Sequence, residues 1–416
     1  VTARAVLISL LAGLGLGAAL LATLAVAAFA GSPEAADAWL VALAVSQFLI
    51  GAMQAGAVTA AMPAIAGETP HVQAGRTRVL CLAIALPAAL LAALLALTAA
   101  WWMRLLAPGL SAEPLLLATA LAREQLAALP LAGAVLILSV RGQSAGAALA
   151  VEAAGAAASL LFVAALVLLI PRAGIAQAGW LVPARWAVNA ALLAGFMRGG
   201  TWPADAAGVV RGVARKFTSF AAFGALYQSA VVVDRFLLSF AAPGTVSAYA
   251  IVSGVVLAGA SVLERGLTAP SLPRLFDDAK RGDLASLRAR QLRLQRLAGL
   301  AGLAAAVALG VLGLPLLRLA GDFVPLLATR ADESWRAALL LAPCLAAVPA
   351  GAVAAAALNA RGHARVLLRV ILGAWVASLI AKAVGFSLVG VPGVAAGTSL
   401  YFVAGFIALD RRAARA

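Results

Sequence analysis

Charge, histidine, cysteine and tyrosine are all scarce in this chain. Only 11% of its 416 residues are charged, and it has 2 histidines, 2 cysteines and 3 tyrosines. Soluble domains carry about 25% charged residues, so the shortage excludes an ordinary soluble enzyme, a nucleic-acid-binding domain and a disordered chain. Cys81 and Cys344 both sit inside apolar runs, while His71 and His363 lie in separate loops. No disulfide framework and no metal site is expected from ligands so few and so scattered. No Gly-rich loop ending in Lys-Ser/Thr is there to cradle a nucleotide phosphate. Nor is there a large polar domain with an acidic metal site. Enzyme activity is therefore not expected, and neither is a cofactor, apart from a coupling cation of unknown identity.

What is abundant is apolar. Hydrophobic residues make up 64% of the chain and mean hydropathy is +1.04, more apolar surface than a water-soluble core can hide. A membrane-crossing helix needs about 20 such residues. Twelve runs qualify: 5–30, 38–64, 79–103, 114–140, 145–170, 175–197, 217–241, 245–270, 297–320, 333–359, 364–389 and 391–409. They are continuous rather than alternating, which calls for helices and not a barrel. The first is expected to be a span and not a cleavable signal, being too long and followed at once by the next. Opening on Val1 suggests an alternative start codon or a trimmed terminus, and the Ala/Gly/Leu/Arg bias hints at a GC-rich genome.

The net charge of +15 is not a nucleic-acid patch, because the basic residues punctuate the apolar runs. Loops on the side of the N-terminus hold most of them. These are Arg4, Arg76, Arg78, Arg141, Arg198, Arg211, Arg215 and Lys216, and then Arg274, Lys280, Arg281, Arg288, Arg290, Arg293 and Arg296. Arg361, Arg365, Arg369, Arg411, Arg412 and Arg415 complete the group. The opposite loops hold only Arg104, Arg172, Arg318, Arg330 and Arg336. The positive-inside rule then places both termini of a multi-pass membrane protein in the cytoplasm. Trp39, Trp101, Trp102, Trp180 and Trp335 fall near the outer span ends, as an aromatic belt would. The basic stretch Ser271 to Arg296 reads either as a solvated connector or as a segment on the anionic inner leaflet, since Leu284, Leu287 and Leu294 recur at helical spacing.

The halves of the chain resemble each other. At an offset of 210, Ala38, Trp39, Val41, Gly56 and Pro63 match Ala248, Tyr249, Ile251, Gly266 and Pro273; later, VRGQSA from Val140 parallels ARGHAR from Ala360. Six spans is an even number, so both halves share one topology. The expected fold class is an all-α polytopic membrane protein of about 12 transmembrane helices in two six-helix lobes, related by a pseudo-twofold axis along the membrane normal. The N-terminal lobe would span 1–198, a cytoplasmic linker 199–216 and the C-terminal lobe 217–416, with the basic connector at 271–296. This is the plan of an alternating-access transporter rather than a channel.

Ionisable residues at the bilayer centre cost ~2.5–3.5 kcal/mol each, so each needs a partner or a watery cavity. Arg123, Arg185, Arg235 and Lys382 are the candidate cavity cations, suited to an anionic headgroup through their donors. Glu152 and Asp234 are candidate coupling-ion residues, joined by Asp37 at the mouth of the second span and by the polar Gln47 and Gln54. Each has a structural alternative: Arg123 with Glu124 and Arg235 with Asp234 suit interhelical pairing, and Glu152 can pair with Arg185 or Arg123. Asp37 can cap a helix. Gln228 and Asn189 can bind sugar hydroxyls or simply join helices. Prolines 87, 130, 183, 315 and 349 lie inside spans and permit kinks.

Two stretches carry a family resemblance. GSPEAADAWLVALAVSQFLIGAMQAGAVTAAMPAI, from Gly31, and VDRFLLSFAAPGTVSAYA, from Val233, with LPRLF at Leu272, resemble the multidrug/oligosaccharidyl-lipid/polysaccharide (MOP) exporter superfamily. The likeness is closest to its lipid II flippase (MurJ/MviN) branch. That branch carries cavity arginines on helices 1, 2 and 8. Here the first span has none after Arg4, Ile50 and Gly51 stand at the second-span pair, and Ile251 and Val252 at the eighth. No apolar run follows the twelfth, where that branch has two more helices. The resemblance implies a flippase of polyprenyl-linked glycan, lipid II-like or another lipid-linked oligosaccharide, in the bacterial inner membrane. Its partners would be that substrate and membrane lipids, with glycan-synthesis enzymes as further candidates and a monomer as the expected state. The alternatives are a cation-coupled multidrug exporter and a non-transporting scaffold of a glycan-synthesis complex.

Overall fold

A computed structural model describes residues 3–66, 68–268, 271–361 and 363–415. Gly362 of the ARGHAR stretch, and the side chains of Arg4, Pro273, Arg274, Arg365 and Arg415, lie outside the described residues. About 89% of the chain is helical, and no strand occurs among the described residues. The helices form two compact units, Val1–Ser247 and Ala248–Ala416.

The first unit holds α1 (Ala3–Phe29), α2 (Pro33–Ile65), α3 (Pro70–Leu97), α4 (Ala99–Leu106) and α5 (Ala112–Leu126). It continues with α6 (Ala128–Ser144), α7 (Ala148–Ala173), a 3-10 segment (Ile175–Trp180), α8 (Leu181–Leu193) and α9 (Ala206–Leu238). Helix α10 (Thr245–Thr268) begins there and continues into the second unit. That unit adds α11 (Leu272–Lys280), α12 (Leu284–Gly321), α13 (Pro325–Thr329) and α14 (Ala331–Leu341). It ends with α15 (Cys344–Ala360), α16 (Ala364–Val389) and α17 (Val391–Arg415). Among the described residues twelve stretches are long and apolar enough to cross a membrane, and each falls on one of the twelve apolar runs of the sequence. This is a multi-pass membrane protein.

Three of those spans are broken, each just before a proline. Proline lacks an N–H, and its ring clashes with the carbonyl four residues back. Pro130 therefore separates α5 from α6 at Ala127, Pro183 follows the 3-10 turn into α8, and Pro343 stands at the junction of α14 and α15. Pro87, Pro315 and Pro349 stay within continuous helices.

Packing in the first unit rests on small residues. Helix α2 lies along α9, and α1 lies along α7. The core holds Ala57, Ala60 and Ala61 of α2 against Leu80, Ile137, Leu138 and Leu193. Alanine and glycine let helix backbones approach closely, which matters where lipid removes the hydrophobic drive for association. A Cβ at Gly224 of α9 would lie 2.6 Å from the Ala55 Cβ of α2 and 3.1 Å from the Ala52 Cα.

The basic stretch 271–296 is folded into the second unit. It forms α11 and the start of α12, with Leu287 and Leu294 buried and only Leu284 exposed. Two of these three leucines thus face protein, not a leaflet. Asp278 is buried and receives Arg290 Nε at 2.8 Å and Arg281 Nη2 at 2.6 Å. The Arg290 hydrogen bond, aided by Arg281, holds the Asp278 carboxyl below the usual carboxylate range. Arg288 of α12 reaches Asp410 of α17 at 2.9 Å, tying the same end of the unit together.

Candidate functional site

Residues of α2 spaced three and four apart share one helix face. Leu43, Gln47, Ile50, Gly51 and Gln54 form such a stripe, and it opens on a cavity of about 360 Å³ within the first unit. Thr23 of α1, Phe162 of α7, Arg185 and Trp186 of α8 and Gln228 of α9 close it, with Trp39 and Ser46. Gln228 enters because position 51 has no side chain: a Cβ there would lie 2.5 Å from the Gln228 Cδ. The glycine therefore makes room for an amide.

Arg185 is the cavity's cation. Its guanidinium lies 5.8 Å from the Phe162 ring centroid and 5.7 Å from that of Trp186. Contacts at this range contribute ~0.5–2 kcal/mol each and fix the plane of the guanidinium. Arg185 makes no ion pair among the described residues, so the expected alternative of pairing with Glu152 is not what its surroundings provide. One fixed cation, three amides and two indoles surround the space. That set can grip an anionic group and offer amides to hydroxyls and the Trp186 indole to the C–H face of a sugar ring or to a flat apolar group.

The other candidate residues lie elsewhere. Arg123 is exposed, its Nε donating to the Ala96 carbonyl at 3.2 Å. Glu124 turns the other way and presses on Gly179, with a buried Oε2 that has no hydrogen-bond partner among the described residues. Glu152 is half-buried in the first third of α7 and does not line the cavity. Asp234 and Arg235 are buried near the end of α9, where Arg235 Nη1 donates to the Val246 carbonyl at 3.0 Å. Asp37 accepts the N–H groups of Gly244 at 2.7 Å and Ser247 at 2.8 Å. Helix α2 itself is capped by Ser32, whose Oγ accepts from the Ala35 N–H at 3.2 Å. Lys382 belongs to the second unit, fully buried in α16 with its stem against Gly397 of α17.

The residues that sequence reasoning missed are mostly aromatic. Trp39 was expected in an interfacial belt; the structure buries it at 2% exposure beside the cavity. Trp101 and Trp180 are exposed as a belt requires. The readable signal was Trp186, a tryptophan in mid-span directly after the arginine.

No protein-family model and no curated protein sequence matches this chain. Solved structures do. The chain superimposes on lipid II flippase MurJ in an inward closed conformation with a TM-score of 0.85, at 15% identity over 98% of this chain and 87% of that one. The fold is that of the MOP exporters. An inward-facing multidrug resistance MATE transporter of the same superfamily gives a TM-score of 0.77 at 15% identity, covering 96% of this chain and 94% of that one. A Vibrio cholerae MATE transporter gives 0.70 at 16% identity, over 99% and 96%. The MOP fold thus covers nearly the whole chain, and flippase and drug exporter share it.

Proposed function

We propose that the chain is a flippase of polyprenyl-linked glycan in the bacterial inner membrane, with both termini in the cytoplasm. Two six-helix lobes, 1–198 and 217–416, alternate their opening, and the headgroup crosses while the prenyl tail stays in lipid. The membrane potential, worth ~2.3 kcal/mol per charge per 100 mV, or a cation gradient drives the step. The observation that carries this reading is the cavity in which Arg185, held over two aromatic rings, faces the amides of Gln47, Gln54 and Gln228. A cation without a carboxylate partner suits a phosphate-bearing group, and amides beside an indole suit its sugars. We assign Arg185 to the phosphate and Gln47, Gln54 and Gln228 to the glycan. The protein works as a monomer in this scheme, with glycan-synthesis enzymes supplying the substrate.

The likeness to MATE structures supports a second reading, cation-coupled export of flat apolar molecules stacked on Trp186. Reconstitution in liposomes separates the two. Translocation of a polyprenyl-pyrophosphate sugar by wild type, lost at least tenfold in Arg185→Ala, is the expected result. Translocation that survives the substitution removes Arg185 from the substrate's path. Failure with every lipid-linked glycan, together with proton- or sodium-driven efflux of aromatic dyes, establishes the exporter instead.

A further inference from the structure

A second, larger pocket, of about 920 Å³, opens in the second unit where α12 ends and α14 begins. Its wall carries three guanidinium groups: Arg318 in the last turn of α12, Arg330 just before α14, and Arg336 within α14. Glu333 takes Arg330 at 3.0 Å. Arg318 and Arg336 are exposed and make no ion pair or hydrogen bond among the described residues.

This concentration runs against the charge pattern of the rest of the chain. Loops at this end of the spans are poor in basic residues, holding only Arg104 and Arg172 besides these three. The three gather at one pocket, and one carboxylate ion pair accounts for only one of them. The pocket also lies at a set depth. Spans α12, α14, α16 and α17 all begin or end at its rim, with Val389 and Pro392 of the α16–α17 turn in its wall. Leu316, Leu319 and Leu388, near the same helix ends, are exposed apolar side chains suited to hydrocarbon. A guanidinium fork matches phosphate oxygens, and a helix end at the membrane boundary puts that fork at headgroup level.

We propose that this pocket binds the phosphate of a lipid, whose chains lie over Leu316, Leu319 and Leu388. It is a site separate from the cavity of the first unit and does not depend on what that cavity carries. Asp332, also in the wall and without a described partner, limits affinity by repulsion.

The test is native mass spectrometry of the full chain in detergent, titrated with phosphatidylglycerol, with a polyprenyl phosphate, and with diacylglycerol as the phosphate-free control. At least one phosphate lipid should be retained tenfold over diacylglycerol, and which one names the source. The paired Arg318→Gln and Arg336→Gln variant should lose that preference, while Asp332→Asn should raise retention. Equal retention of all three lipids overturns the proposal, as does a preference unchanged in the arginine variant or retention that does not rise with Asp332→Asn. Displacement by millimolar inorganic phosphate would make this a free-anion site and overturn the lipid assignment.

Discussion

Asp37 and Ser247 are joined by two hydrogen bonds, from the serine N–H at 2.8 Å and from its hydroxyl at 2.6 Å, across 210 positions of sequence. That separation is also the offset at which the halves of the sequence match, so positions that the repeat makes counterparts touch each other. With Gly244 as a third donor, the carboxylate satisfies amides around the first turn of α10 that intrahelical bonding leaves open. Asp37→Ala is expected to cost about 2–4 kcal/mol, read as a lower Tm of the detergent-purified protein. Asp37→Asn keeps an acceptor and should recover part of the loss. An unchanged Tm in the alanine variant would contradict this role.

Two glycines of the α2–α9 contact should respond differently to the same methyl group. At Gly51 the new Cβ meets only the flexible end of Gln228, so Gly51→Ala should leave Tm nearly unchanged and displace the amide from the cavity. At Gly224 it meets the Ala52 backbone, which cannot yield without parting the helices. Gly224→Ala should therefore cost about 1–3 kcal/mol. Thermal unfolding of the two variants side by side decides, and equal Tm losses would refute the distinction.

Asp278 sets an acid limit on stability. Its carboxyl titrates lower in the folded protein than in the unfolded chain, so its contribution is fully present above the ordinary value of about 3.9 and is lost as pH falls through the lowered folded value. Asp278→Asn should lower Tm at pH 7 and flatten its decline below pH ~4. A decline as steep as that of wild type would place the acid sensitivity elsewhere.

Both thiols are buried, Cys344 at 0% and Cys81 at 7% exposure. Maleimide should label neither in the folded protein and both after denaturation, which mass spectrometry reads directly. Labelling of Cys344 before unfolding would mean that the α15–α17 packing opens in the native state.

All twelve spans were legible because long apolar runs leave few alternatives in a bilayer. The breaks in α5–α6 and α14–α15 were less so, since Pro87 and Pro315 look the same in sequence and leave their helices intact. Of the mid-span candidates, Arg185, Gln47 and Gln54 line one cavity. Arg123 shares those credentials and points to the rim of α3, because one step along a helix turns a side chain by about 100°. Of the arginine–aromatic stack only Trp186, next to Arg185 in sequence, was readable; Phe162 lies on a different span and nothing in either span announces the other.

Helix α12 has one further consequence, a mechanical one. Its 38 residues extend about 57 Å, against a hydrocarbon thickness of about 30 Å. Roughly 27 Å of rigid rod therefore projects beyond the bilayer core, and its basic end is fastened to α17 through Arg288 and Asp410. A tilt of ~10° about the membrane boundary would swing that end by about 5 Å. The projecting arm thus turns a small rotation inside the bilayer into a displacement as large as a side chain, and passes it to the C-terminal helix.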